Sequence, residues 1–366
     1  MNEFKPLPDL PAPNATTGVV GWMRTNLFST PLYTVLTLVV AYVLYITLVP
    51  VLDWAIFSAN FVGDDKSACV SGGACWAFIG HRLDIFKYGS YPSAEYWRLD
   101  LSFLLLILSF GPQFFEKFPY KMPLGIFSLT GLPVICFVLI AGSDTFGLEH
   151  VETEKWGGMA LTLMLAYVGI VAALPFGIVL ALGRRSEMPV IRTFCIAFIE
   201  LWRGVPLISV LFMSSVMLPL FLPDGMNFDK LLRALIGITM FQSAYMAEVI
   251  RGGLQAIPRG QYEAAKALGL SYWKSMGLII LPQALKLVIP GIVNTFIALF
   301  KDTTLVLIIG LLDILATVQA AITDPAWGNV AIEGYVFAAG CFWVFCFGMS
   351  RYSQKLERKL HTGHKR

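Results

Sequence analysis

Eight stretches of the chain run without Asp, Glu, Lys or Arg: 25–52, 101–115, 122–143, 156–183, 204–223, 234–247, 287–300 and 334–350. A lipid-spanning helix needs about 20 mostly apolar residues. The shorter stretches reach that length once a flanking charged side chain snorkels to the interface. Apolar residues run continuously within them instead of alternating with period two, which argues against a transmembrane barrel. Lipid cannot satisfy open backbone groups, so each span must be helical. The pattern predicts an all-α membrane protein of about eight transmembrane helices.

Charge placement then predicts an orientation. With the N-terminus inside, 18 of the 27 Lys and Arg residues fall on the cytoplasmic side and seven on the other. Cytoplasmic loops carry such an excess. An even span number puts both termini inside, N-in and C-in. The divisions follow. Residues 1–32, with five prolines and no long apolar core before Phe28, read as a disordered cytoplasmic tail and not as a signal peptide. Residues 33–155 form a three-span extension with a periplasmic loop at 53–98. Residues 156–350 form a five-span part with a long cytoplasmic loop at 251–287. Residues 351–366 form a basic cytoplasmic tail. No internal repeat is visible.

Composition sharpens this picture. The 366 residues are 57% hydrophobic and 14% charged, with net charge +3 and mean hydropathy +0.69. Soluble domains carry about a quarter charged residues, so a soluble enzyme is disfavoured. No Lys/Arg cluster flanked by aromatic residues suggests a nucleic-acid partner. The four His residues (His81, His150, His361, His364) lie outside the predicted spans, which argues against a metal-dependent membrane enzyme. Cys136, Cys195, Cys341 and Cys346 sit in apolar segments and read as inert thiols. Cys69 and Cys75 flank a Gly-containing stretch in the loop predicted to be periplasmic, where an oxidising environment favours a disulfide over two thiols.

The segment 251–290 is the most informative. Pro258 and Gly260 break the preceding helix. Gln261 to Leu268 are good helix formers, and Gly269 is a natural stop. Ser271 is placed to cap a second helix, Tyr272 to Ile280, ending before Pro282. A short helix is thus delimited on both sides. Ala264, Ala265 and Ala267 keep its surface low, and Glu263 and Lys266 supply orienting charges. Such a helix suits a partner's groove; spacing alone equally allows an amphipathic connector on the membrane.

The string Glu263-Ala264-Ala265, Gly269, Ile279 and Leu281-Pro282 resembles the EAA motif of bacterial ABC-importer permeases. The flanking strings are similar to the polar amino-acid subfamily of histidine, glutamine and arginine permeases. They are Glu200-Leu201-Trp202-Arg203-Gly204-Val205-Pro206-Leu207, Ala244 to Gly253, Pro258-Arg259-Gly260-Gln261 and Lys301-Asp302-Thr303-Thr304-Leu305. The three extra spans and the Cys69/Cys75 loop resemble the longer permease subunit of the general L-amino-acid uptake system.

The resemblance implies a five-helix type I permease core at 156–350 and a bacterial inner-membrane location. It implies a homologous second permease subunit, with a heterodimer favoured by the unequal extension. It also implies cytoplasmic ATPase subunits that dock on Glu263, Ala264, Ala265, Ala267, Gly269, Leu281 and Pro282, and a periplasmic amino-acid-binding protein. The chain carries no Gly-x-x-x-x-Gly-Lys-Ser/Thr phosphate loop, so it is expected to bind no cofactor, with ATP and Mg on the partner, and to be non-catalytic.

Charged groups inside spans default to function. Glu200 and Arg203, three apart on one face, read as a structural ion pair. Glu248 and Arg251 share that spacing where a span leaves the membrane, as a gate, a coupling brace or a surface pair. Asn294, Thr295, Lys301, Asp302, Thr303 and Thr304 make the most polar intramembrane stretch. With Glu248 they are candidates for lining the translocation pathway; alternatively the Thr hydroxyls satisfy backbone groups freed at a bend. A secondary transporter, a channel or a structural membrane subunit are the rival functions.

Overall fold

The computed structural model describes residues 18–69, 72–115, 118–221, 223 and 228–361. Residues 1–17 and 362–366, most of the expected N-terminal tail and the end of the C-terminal one, lie outside the described residues. The chain divides into two compact units after Gly80.

In the first unit, Gly18–Asn26 is helix α1, which corrects the reading of residues 1–32 as disordered throughout. The segment holds two valines, a Trp and a Met on helical spacing. Helix α2 (Pro31–Leu52) starts where Thr30 accepts a hydrogen bond from the Tyr33 N–H and Pro31 fills the first turn. It runs through Pro50 into a π turn, Asp53–Phe57. The loop beyond is tied back by backbone bonds from Asn60 to Ala74 (2.8 Å) and from Ala74 to Trp54 (2.8 Å). Cys69 and Cys75 are joined as a disulfide there. Helix α3 (Trp76–His81) follows.

The second unit continues with α4 (Leu83–Tyr88), α5 (Tyr96–Phe110), α6 (Lys121–Ala141) and α7 (Gly158–Arg184). Then come α8 (Pro189–Gly204), α9 (Leu207–Phe212), α10 (Lys230–Ala256) and α11 (Arg259–Ala267). The chain ends with α12 (Tyr272–Ser275), α13 (Leu281–Leu287), α14 (Ile289–Asp302), α15 (Ile314–Ala321) and α16 (Ala331–His361). Among the described residues, five helical runs are long and apolar enough to cross a membrane: Pro31–Phe57, Lys121–Ala141, Gly158–Arg184, Ile289–Ile309 and Ala331–Leu360. A sixth is obtained if Pro189–Gly204 and Leu207–Phe221, bent by 104° at Val205-Pro206, count as one. Among the described residues the expected count of eight is not reached. Helix α5 has only 15 residues before a 3-10 turn, and α10 carries Lys230, Arg233, Glu248 and Arg251.

Helices α7 and α10 pack along each other and organise two apolar clusters. Their N-terminal halves meet Tyr88, Leu99, Ile140, Leu211, Phe300 and Ile309. Their C-terminal halves meet Cys195, Ile199, Ile257, Met276, Ile280 and Ala284. Close approach is built into α10 at Gly253, where a Cβ would lie 2.7 Å from the Ala284 carbonyl oxygen. The second cluster thereby fixes α11 to α13 against the long helices. The expected stop before Pro282 is corrected. A π turn, Met276–Ile280, joins α12 to α13, and Pro282 sits in the first turn of α13. That position tolerates its missing N–H.

Candidate functional site

Helix α11 is a short rod held from below and bare above. Pro258 is its N-cap. Gly269 ends it at φ +69°, with its N–H on the Lys266 carbonyl (2.9 Å) and the Leu270 N–H on the Ala265 carbonyl (3.2 Å). Ala265 is fully buried, whereas Glu263, Ala264, Lys266, Ala267 and Gly269 are exposed. Small side chains therefore sit on both sides of the rod: one lets it settle on the bundle and the others leave its outer surface low.

Polar contacts fix its height. The Tyr262 hydroxyl donates to the Leu254 carbonyl (2.9 Å) and accepts from Arg185 Nη1 (3.0 Å). Gln283 Nε2 donates to Gln261 Oε1 (3.1 Å). Through these, α11 is tied to the ends of α7 and α10 and to α13. Leu281 is half-buried against the second apolar cluster and Pro282 is exposed. Leu268 and Trp273 are each more than 70% exposed beside it. Sequence reading passed over them, although large apolar residues flanking Gly269 were the available signal.

Glu248, on α10, is the centre of a charge cluster. It contacts Arg251 Nη2 at 2.7 Å, Arg184 Nη1 at 3.1 Å and Arg203 Nη1 at 3.6 Å. Glu200 pairs with Arg184 at 3.4 Å. The expected Glu200–Arg203 pair is thus replaced by two longer-range pairs. Arg203 instead reaches Glu248 and lies over the Tyr245 ring. One carboxylate on α10 links the end of α7 and the bend after α8.

The polar stretch of α14 divides. Asp302 accepts a hydrogen bond from Gln242 on α10 (3.2 Å). Asn294 and Lys301 are exposed. The Thr295, Thr303 and Thr304 hydroxyls donate to the carbonyls of Gly291, Phe300 and Lys301. Thr303 and Thr304 do so where α14 tightens into a 3-10 turn, Thr303–Ile309. Both hydroxyls thus sit on backbone carbonyls at a change of helix type.

One buried acid escaped the sequence reading. Asp313 is wholly buried; one carboxylate oxygen caps α15 through the Ala316 N–H (2.9 Å) and the other has no hydrogen-bond partner among the described residues. Burial raises its pKa to about 6, against two backbone hydrogen bonds that lower it. Parallel bridges from Gly157 and Gly158 to Leu312 and Asp313 hold it beside the start of α7. Its only sequence signal is an acid within Leu311-Leu312-Asp313-Ile314-Leu315.

Residues 173–362 match the family described as binding-protein-dependent transport system inner membrane component. The whole chain is similar to the inner membrane amino-acid ABC transporter permease protein YhdY of Escherichia coli (strain K12). That relative is 53% identical over 356 residues, covering 97% of each chain. The glutamate/glutamine/aspartate/asparagine transport system permease protein BztC of Rhodobacter capsulatus is 40% identical, covering 97% of this chain and 96% of its own. A solved structure described as the crystal structure of an amino acid ABC transporter with histidines is 30% identical. It covers 55% of this chain and 92% of that one, at TM-score 0.49.

Proposed function

The chain belongs to the family of binding-protein-dependent transport system inner membrane components, as the multi-pass permease subunit of an amino-acid ABC transporter, and from that premise we propose how it works. Its cargo is polar L-amino acids handed over by a periplasmic binding protein in a bacterial inner membrane. It forms half of the pathway, and a shorter homologous permease forms the other half. ATP and Mg bind on cytoplasmic ATPase subunits; this chain transmits their motion and does no hydrolysis.

The observation that carries this reading is α11: a rod with a bare Glu263-Ala264-Lys266-Ala267 surface and a fixed underside. A partner's groove that moves α11 moves Tyr262, and with it Leu254 on α10 and Arg185 after α7. Glu248 then joins the same two helices to Arg203 at the bend before α9. Displacement of the rod therefore reaches the helices that line the candidate pathway through rigid contacts. Asp302, held by Gln242, is the acceptor best placed for the cargo's ammonium group, and Lys301 and Asn294 are donors for its carboxylate.

The test is uptake of radiolabelled amino acids into vesicles holding the complete complex, with ATP and binding protein. Glu263→Lys is expected to abolish ATP-driven uptake while membrane insertion is unchanged. Uptake at the unmodified rate would remove α11 from the coupling role.

A further inference from the structure

Between the end of α7, the first two turns of α8 and the last turns of α10 lies a cavity of about 390 Å³ lined by Arg184, Arg185, Arg192, Arg251, Ile196 and Gln255. Four guanidinium groups and no acid line it. Arg184 and Arg251 pair with Glu248, and Arg184 pairs also with Glu200; both carboxylates sit outside the lining. Among the described residues no carboxylate lies within ion-pair distance of Arg185 or Arg192; Arg185 is held by the neutral Tyr262 hydroxyl. Glu187, on the connecting turn, is exposed and not part of the lining.

Arg185 and Arg192, the two guanidinium groups of the lining with no carboxylate partner among the described residues, repel each other unless an anion sits between them. Guanidinium forks match phosphate oxygens in pairs of parallel hydrogen bonds. The surroundings select the source of the phosphate. Arg192 stands in the first turns of α8, whose Val190, Ile191 and Phe194 are exposed apolar side chains on the same stretch. A headgroup in the cavity would have its acyl chains beside them. With the N-terminus inside, this end of α7 faces the leaflet rich in anionic lipids, where basic hollows between spans hold phospholipid headgroups.

We propose that this cavity is a binding site for the phosphate of an anionic phospholipid, wedged between α7, α8 and α10 and linked to the coupling rod through Arg185 and Tyr262. The lipid would neutralise Arg185 and Arg192 and brace Arg185, whose guanidinium also holds Tyr262 of α11. The proposal requires only that this end of the bundle meets the lipid interface, and it stands or falls separately from the choice of cargo.

The test is native mass spectrometry of the full-length chain, extracted in detergent with its co-purifying subunits and titrated with phosphatidylglycerol or, as control, phosphatidylcholine. The intact protein is expected to retain phosphatidylglycerol and not phosphatidylcholine. Arg185→Gln combined with Arg192→Gln should weaken that retention at least about tenfold, since charge-assisted hydrogen bonds are the stronger kind. Arg192→Gln alone, at an exposed position, should weaken it measurably even if the double variant fails to assemble. Equal retention by the unmodified protein and the single variant overturns the site. Displacement of the lipid by excess inorganic phosphate reassigns the cavity to a soluble anion and overturns the lipid assignment. Retention only after the ATPase subunits are stripped overturns it in favour of an acidic surface of that partner.

Discussion

Two acids show how differently the surroundings of a carboxylate can be arranged. Glu248 is balanced by three guanidinium groups within 3.6 Å, so Glu248→Gln leaves Arg184, Arg203 and Arg251 facing each other. A loss of about 1–3 kcal/mol is expected, read as a lower midpoint of thermal unfolding in detergent. Asp313 is the opposite case: buried, capping α15, with no charged neighbour contributing to its shift. Its folded pKa of about 6 lies above the ordinary 3.8, so the fold holds its proton more tightly than the unfolded chain does. Its contribution is most favourable below about pH 4, and it declines as pH rises from there through about 6. The accumulated cost above that window is about 3 kcal/mol. Asp313→Asn keeps an oxygen for the Ala316 N–H and removes the ionisation. The variant is therefore expected to match the parent at pH 4 and to be more stable at pH 7. Parallel unfolding curves across that range would show that Asp313 ionises without penalty.

At the scale of elements, α11 works as a unit because its two ends and its underside are fixed independently. Tyr262→Phe removes one hydroxyl that serves both Leu254 and Arg185. The stability cost is about 1 kcal/mol, but the expected fall in ATP-driven uptake is several-fold, because the rod loses its link to α7. Uptake and stability changing in proportion would mean that the link carries no coupling. Gly269 makes the complementary case: nothing lies within 4 Å of a Cβ built there, but φ is +69°. Gly269→Val therefore acts through the backbone alone, at about 1–2 kcal/mol, and is expected to fray α11 and stop uptake without affecting insertion. The bounds of α11 were legible in the sequence because Pro258 and Gly269 act locally. Pro282 was misread because the π turn ahead of it absorbs the irregularity and the helix resumes. Glu200 and Arg203 have the right spacing for a pair, yet α7 and α10 bring Arg184 and Glu248 closer. Asp313 was invisible for the same reason: its bridging partners, Gly157 and Gly158, lie more than 150 positions away along the chain.

For the whole molecule, the two units carry different kinds of surface. In the first, α2 and its π extension cross 27 residues with none of its apolar window buried, and a disulfide fastens the loop that follows. The second holds the rod, the charge cluster and the polar part of α14, within the 173–362 region that matches the family. A pathway between two permease subunits needs two such second units. It does not need two copies of the first, whose residues lie outside the matched region. A complex extracted from its native membrane is therefore expected to contain one copy of this chain, one shorter permease and two ATPase subunits, as read by intact-complex mass spectrometry with subunit identification. Two copies of this chain per complex would reverse the assignment, because each α11 would then be supplied by the same sequence and the extension would be doubled. In the same preparation, non-reducing peptide mapping should find Cys69 joined to Cys75, whereas alkylation of both without reductant would remove the covalent tie. Together the two measurements separate what the extension does for its own loop from what it does for pairing. A linked loop in a one-copy complex leaves the extension as the asymmetric element that distinguishes the two halves of the pathway.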